Sequence, residues 1–115
     1  MVEDVARMDE VFHALANGAR RDMLGRLAGG ELTVGELAEP LTISLAAASK
    51  HIQVLERAGL VLRTVHGRRH VCSLQPAPLA SAADWLAFYE RFWSERLDAL
   101  ESLFRPTVPP KGSKT

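Results

Sequence analysis

The sequence predicts a mainly α-helical chain of about five helices with one small β-hairpin, and three observations carry that prediction. Apolar residues recur at helical spacing over most of the chain. Two stretches near residues 60 and 72 change to β-prone residues on either side of a Gly-Arg-Arg tip. Between these segments, Asn, Gly, Ser, Thr and Pro stand where helices begin and end.

In chain order, Val5, Met8, Phe12 and Leu15 fall at spacings of 3, 4 and 3 and define a helix over 5–16. Asn17-Gly18 is expected to close it, since both residues tolerate the left-handed conformation. A second helix over about 19–27 turns Met23, Leu24 and Leu27 inward and leaves Arg20, Arg21 and Arg26 available to solvent, before Gly29-Gly30 stops it. Thr33 with Glu36 forms a capping box. The helix it opens, about 34–39, ends before Pro40, because the residue preceding a proline resists the helical region. Ser44 then caps a longer helix over 45–58, which Gly59 terminates. Helix, short turn and a longer basic helix make the outline of a helix-turn-helix. Leu60-Val61-Leu62 and Val71-Cys72-Ser73-Leu74 flank His66-Gly67-Arg68-Arg69, a two-stranded hairpin that must lean on the helices to be stable. The last helix is expected over 79–104, stopped by Pro106. Residues 1–105 are read as one domain, and 106–115, with three prolines, as a disordered tail.

Composition narrows the function. At 115 residues the chain suits one domain, and 47% hydrophobic with 24% charged residues is the balance of a globular protein rather than a disordered tail. The longest uncharged stretch, the thirteen residues over 71–83, is too short and too broken by proline for a membrane helix. The acidic start Met1-Val2-Glu3-Asp4 lacks a secretion signal, so a cytoplasmic protein without a membrane partner is expected. A single cysteine, Cys72, allows no internal disulfide and no cysteine-based zinc cluster. The net charge is zero, yet it is unevenly spread. Residues 1–40 hold eight acids and four bases, whereas 41–70 hold five bases, three histidines and the single acid Glu56. That polarity makes a local positive field on a neutral protein, the footprint of a nucleic-acid contact.

The helix over 45–58 and the hairpin carry the chemistry. Ala48, Ile52 and Leu55 share its inward face, and Ala46, Ser49, Lys50, Gln53 and Arg57 its outward one, with no acid among them. A helix entering the ~12 Å major groove needs small residues near its start, which the run from Ser44 to Ala48 supplies. Ser44 and the helix N-terminus can hold a phosphate. Ser49, Lys50 and Gln53 are the groups for base edges, while Ala46 and Ala47 suit thymine methyls. Arg68 and Arg69 at the hairpin tip suit phosphates or the minor groove. Against this stands the plainer reading of a solvated helix and turn that happen to lack acids.

The terminal helix needs a partner, since its twenty-six residues at ~1.5 Å each outreach a domain of this size. It carries two apolar stripes: Leu86, Tyr89, Trp93, Leu97, Leu100 and Phe104, and Ala82, Trp85, Phe88, Phe92, Ala99 and Leu103. One domain can cover one stripe, so a two-fold dimer is expected to bury the other. Its interface is expected to use Met8, Phe12, Trp85, Phe88, Tyr89, Phe92, Trp93 and Leu100; a ligand pocket between helices is the alternative. His66, His70 and Cys72 could chance to bind a metal, but no fourth ligand stands at a recognisable spacing. No metal site and no cofactor are expected. Cys72 beside arginines could instead sense oxidants through a lowered pKa. Catalytic signatures are absent: no phosphate-binding loop, no His-Glu-x-x-His and no Gly-x-Ser-x-Gly. No catalytic residue, and no enzyme, is expected.

Leu15-Ala-Asn-Gly-Ala-Arg20-Arg21 with Leu24, then Thr33-Val-Gly-Glu-Leu-Ala-Glu39, Ile43-Ser-Leu-Ala-Ala-Ala-Ser-Lys-His51 and Val54-Leu-Glu-Arg-Ala-Gly-Leu-Val61, resemble the ArsR/SmtB-type winged-helix repressors. The hairpin with Gly67-Arg68-Arg69 resembles their wing. The resemblance implies a winged helix-turn-helix and a homodimeric transcriptional regulator, usually a repressor, that reads an inverted-repeat operator in double-stranded DNA. It places Ser44, Ala46, Ala47, Ser49, Lys50 and His51 in the recognition-helix segment and Arg68 and Arg69 in the wing. Metal-sensing members carry a Cys-x-Cys pair near Thr33, or Asp and His ligands on the terminal helix. Here neither cysteine is present, and 79–104 holds no histidine or cysteine. The inducer, a small molecule or another signal, is not named by these residues. Two rival readings stand beside this one: a metal- or redox-responsive sensor using Cys72, and a protein-interaction module that has lost DNA binding.

Overall fold

Helix α1, Val2–Leu15, buries Val11 and Ala14 and packs Met8, Phe12 and Leu15 against the core. The computed structural model describes the backbone of residues 2–104 and the side chains of 7–92 and 94–103. The expected tail over 106–115 lies outside the described residues.

Asn17 does not close α1 in a left-handed conformation. It is extended (φ −125°), and its side chain accepts from the Arg20 N–H to cap α2, Gly18–Leu27. The caps of α1 come instead from two arginines. Arg20 Nε and Nη2 donate to Ala14 O and His13 O, and Arg21 Nη1 donates to Leu15 O at 2.8 Å. Arg20, expected in solvent, is therefore 9% exposed and belongs to the core. Cationic donors suit a helix C-terminus, where unpaired carbonyls gather partial negative charge.

Strand β1 is two residues, Leu32–Thr33. Thr33 also caps α3, Val34–Ala38, in a complete capping box with Glu36. These paired bonds hold the Glu36 carboxyl below its ordinary range, chiefly through the Thr33 N–H. Pro40 does not end the chain's turning but sits in a 3-10 turn, Glu39–Leu41, followed by Thr42 in the left-handed region (φ 50°). Helix α4, Leu45–Arg57, begins at the Ser44 cap. It ends in a Schellman arrangement: Leu60 N donates to Leu55 O, Gly59 N to Glu56 O, and Gly59 takes φ 78°.

Strands β2, Val61–His66, and β3, Arg69–Leu74, pair antiparallel with His66 opposite Arg69. Gly67 at φ 65° suits the two-residue turn between them. The two-stranded hairpin expected from the sequence is present in β2 and β3, and β1 adds to the β3 edge to make a three-stranded sheet in the order β1-β3-β2. Leu32 lies opposite Cys72 and Thr33 opposite Val71. The wing is thereby joined to the start of the helix-turn-helix. Met23, Leu37, Ile52, Leu55, Leu60, Val11 and Cys72 are the largest fully buried side chains of this core. The five helices and three strands make a winged helix-turn-helix.

Helix α5, Ala77–Phe104, accommodates Pro78 in its first turn, where a missing N–H costs nothing. The chain divides into two compact units, one running to Ala82 and the other beginning at Ala83. In the second, Trp85, Leu86, Phe88, Tyr89, Phe92, Leu97, Leu100 and Leu103 are all exposed. Trp85 and Tyr89 meet with their rings tilted by 47° and 4.5 Å between centroids, Phe88 meets Tyr89 edge-on at 5.2 Å, and Arg96 lies 4.7 Å over Phe92. No described helix is long and apolar enough to cross a membrane.

Candidate nucleic-acid interface

The site is built on α4, and its two faces divide as the helical period requires. Ala48, Ile52 and Leu55 are fully buried, so the helix is held from behind. Ser44, Ala46, Lys50, Gln53 and Arg57 are exposed, and Ala47, Ser49 and His51 are half-buried. The Ser44 Oγ accepts from Ala47 N at 3.0 Å, which leaves its hydroxyl proton free to donate outward. Small side chains at the start of α4 let another backbone come close, and Lys50, Gln53 and Arg57 supply donors along the open face.

The acid in this region is neutralised internally. Glu56 is held by Arg63 on β2 through two hydrogen bonds, Nη2 to Oε1 at 2.8 Å and Nε to Oε2 at 3.3 Å. This bidentate pair raises the Arg63 guanidinium above its ordinary value and removes the carboxylate as a source of repulsion toward a polyanion. At the wing tip, Arg68 stands in the turn and Arg69 opens β3, both exposed. Among the described residues, no ion pair engages either arginine or Lys50.

Sequence reasoning missed Leu45, which is 62% exposed in the first turn of α4. It lies seven residues before Ile52, hence in line with the buried face, yet at the helix start nothing covers it. It also missed Arg20, whose Nη1 lies 3.3 Å from His51 Nδ1. That contact spans thirty-one residues and leaves no local signature.

The expected dimer residues divide into two groups. Met8 and Phe12 are partly buried against the core. Trp85, Phe88, Tyr89, Phe92 and Leu100 are exposed on α5, and the Trp93 side chain lies outside the described residues.

Cys72 does not have the lowered pKa that its arginine neighbours suggested. It is completely buried opposite Arg63, and burial pushes the thiol up, outweighing the opposing pull of the guanidinium. His66 and His70 are exposed towards the wing tip. Among the described residues no three His, Cys, Asp or Glu side chains are grouped to hold a metal ion.

A family model described as a helix-turn-helix domain matches residues 15–64, which run from α2 into β2 and take in the whole of α4. The HTH-type transcriptional regulator Rv2034 of Mycobacterium tuberculosis is 42% identical over 95 residues, 83% of this chain and 86% of that protein. The transcriptional repressor SdpR of Bacillus subtilis is 32% identical over 79 residues, 69% of this chain and 88% of its own. Among solved structures, the ArsR family transcriptional regulator RHA00566 is similar with a TM-score of 0.71 at 36% identity, covering 76% of this chain and 97% of that one. The Mycobacterium bovis domain Mb0332, described as a homodimeric winged helix-turn-helix DNA-binding domain, has a TM-score of 0.56 at 31% identity and covers 85% of each chain. Identity that runs through nearly the whole of a regulator, on a helix-turn-helix carrying a basic, acid-free outer face, makes this chain a member of the ArsR/SmtB-type winged helix-turn-helix transcriptional regulators.

Proposed function

We propose that the protein is a homodimeric, sequence-specific repressor in which two copies of α4 read an inverted-repeat operator and the wings grip the backbone beside it. The observation that carries this reading is the outer face of α4. It presents Ala46, Lys50, Gln53 and Arg57 to solvent, and its neighbouring acid is spent on Arg63. Ser44, Ala46, Ala47, Ser49, Lys50, His51 and Gln53 face the groove in this reading, and Arg68 and Arg69 meet phosphates. Phosphate contacts supply most of the affinity and base contacts the choice of sequence. Residues 1–105 act together as the DNA-binding and dimerisation domain.

Dimerisation is supported by the aromatic stripes of α5, too large to leave in water, and by the homodimeric description of Mb0332. In a dimer, two recognition helices ~34 Å apart meet successive major grooves on one face of a duplex. Repression follows from occupancy: a protein seated on an operator excludes whatever else must bind there, and the relative SdpR is named a repressor. Metal sensing at the two usual positions is not part of the proposal, for no Cys-x-Cys pair stands near Thr33 and 79–104 holds no histidine or cysteine. A redox trigger at Cys72 is disfavoured by its burial and raised pKa. No catalytic activity is assigned.

Sedimentation together with a salt titration of duplex binding tests the proposal. A species of twice the 12.6 kDa chain mass, whose affinity for duplex DNA falls steeply with salt, is expected. A monomer indifferent to duplexes at low salt would refute it, and leave the protein-interaction reading in its place.

A further inference from the structure

Arg20 is the charged side chain in the described core, and its guanidinium meets two backbone carbonyls and one imidazole ring rather than a carboxylate. Nε donates to Ala14 O at 2.8 Å and Nη2 to His13 O at 3.1 Å, both on the last turn of α1. Nη1 lies 3.3 Å from Nδ1 of His51 on α4, within hydrogen-bond distance. A guanidinium has donors only and stays protonated. The nitrogen facing it must therefore offer a bare lone pair, and a neutral imidazole with a bare Nδ1 carries its proton on Nε2.

That second nitrogen is not sealed away. Among the described residues His51 Nε2 has no hydrogen-bond partner, and no buried side-chain nitrogen or oxygen lacks one, so Nε2 is not buried and touches solvent. It does so one residue after Lys50. The Asn17 cap completes the device by holding the Arg20 N–H at 3.1 Å, which fixes where the arginine leaves α2.

We propose that Arg20 is a positioning residue for DNA recognition: it ties α1 to α4 and holds His51 in the Nε2–H tautomer, so that His51 presents a hydrogen-bond donor to an acceptor on a base edge in the major groove. Such acceptors are the N7 of purines and the O6 of guanine. The proposal rests on the reading of α4 as the recognition helix. A planar fork with three fixed donor directions is needed, which a lysine cannot replace.

The test has two independent arms. Two-bond proton–nitrogen correlation spectra of the nitrogen-labelled protein, taken well above the imidazole range, report the His51 tautomer. The wild type should give an unprotonated Nδ1 and a protonated Nε2, and Arg20→Met should give a mixture. The second arm measures affinity for a duplex selected from a random pool, relative to a scrambled one. Arg20→Met and His51→Leu should each lower that ratio about tenfold, and the double variant should lower it no further. His51→Gln, which keeps an N–H near the Nε2 position, should retain most of it. The salt slope should not change, because Arg20 meets no phosphate.

An Nδ1–H tautomer in the wild type overturns the proposal. So does a folded Arg20→Met with an unchanged ratio, or losses that simply add. Equal losses on both duplexes would assign His51 to the backbone and also refute it. Should Arg20→Met fail to fold, the wild-type tautomer and the contrast between His51→Gln and His51→Leu decide. If no duplex is preferred, the reading of α4 itself fails and the base-edge role with it, while the spectra still report separately on the arginine clamp.

Discussion

Cys72 illustrates how burial decides chemistry at the scale of one residue. Its folded pKa lies above the unfolded one, so the neutral thiol contributes to stability below the ordinary thiol range, and that contribution is lost as pH rises through the folded value. Alkylation at neutral pH should be slow in the native protein and fast after denaturation; rapid native labelling would revive the redox reading. Glu36 has the opposite sign. Its carboxylate is favoured by the Thr33 N–H, so the capping box stabilises the fold above the unfolded carboxylate range and weakens as pH falls through the depressed value. Thr33→Ala should lower stability by about 1 kcal/mol in urea titration, and an unchanged midpoint would show the cap to be idle. Thr33 and Glu36 were legible in sequence because the box is local. Arg20 was not, since its burial depends on carbonyls of one helix and an imidazole of another, and nothing in Asn17-Gly-Ala-Arg20 separates an N-cap from a left-handed close.

Among elements, α4 was the most legible and β1 the least. The start and stop of α4 are written in Ser44 and Gly59, and its buried stripe in the spacing of Ala48, Ile52 and Leu55, so the outer face follows from period alone. Strand β1 is two residues long and exists only because Leu32 meets Cys72, forty residues away in the chain. A pairing of that length has no local pattern to announce it. The wing and α4 should fail differently when altered. Arg68→Ala with Arg69→Ala should weaken binding to every duplex and flatten the dependence on salt by roughly two phosphates' worth; equal losses at low and high salt would count against phosphate contacts. Lys50→Ala should cost roughly 1–3 kcal/mol on the preferred duplex only, and an unaltered preference would move Lys50 from the base edges to the backbone or solvent.

For the whole molecule, the account depends on α5 joining two copies. The amphipathic stripes that suggested this are visible in sequence, and Trp85 and Phe88 are 45% and 57% exposed in the single chain. Phe88→Glu should convert a dimer to a folded monomer in sedimentation and lower operator affinity sharply, since each half then binds alone; a stable dimer in that variant would place the interface elsewhere. The central claim is that two recognition helices, held by this dimer, read two half-sites on one face of the double helix. Selection of bound duplexes from a random pool tests it most directly. The account predicts an inverted repeat with half-site centres about one helical turn, ~10 base pairs, or a multiple of it apart. Recovery of unrelated sequences, or of a single half-site without symmetry, would contradict it.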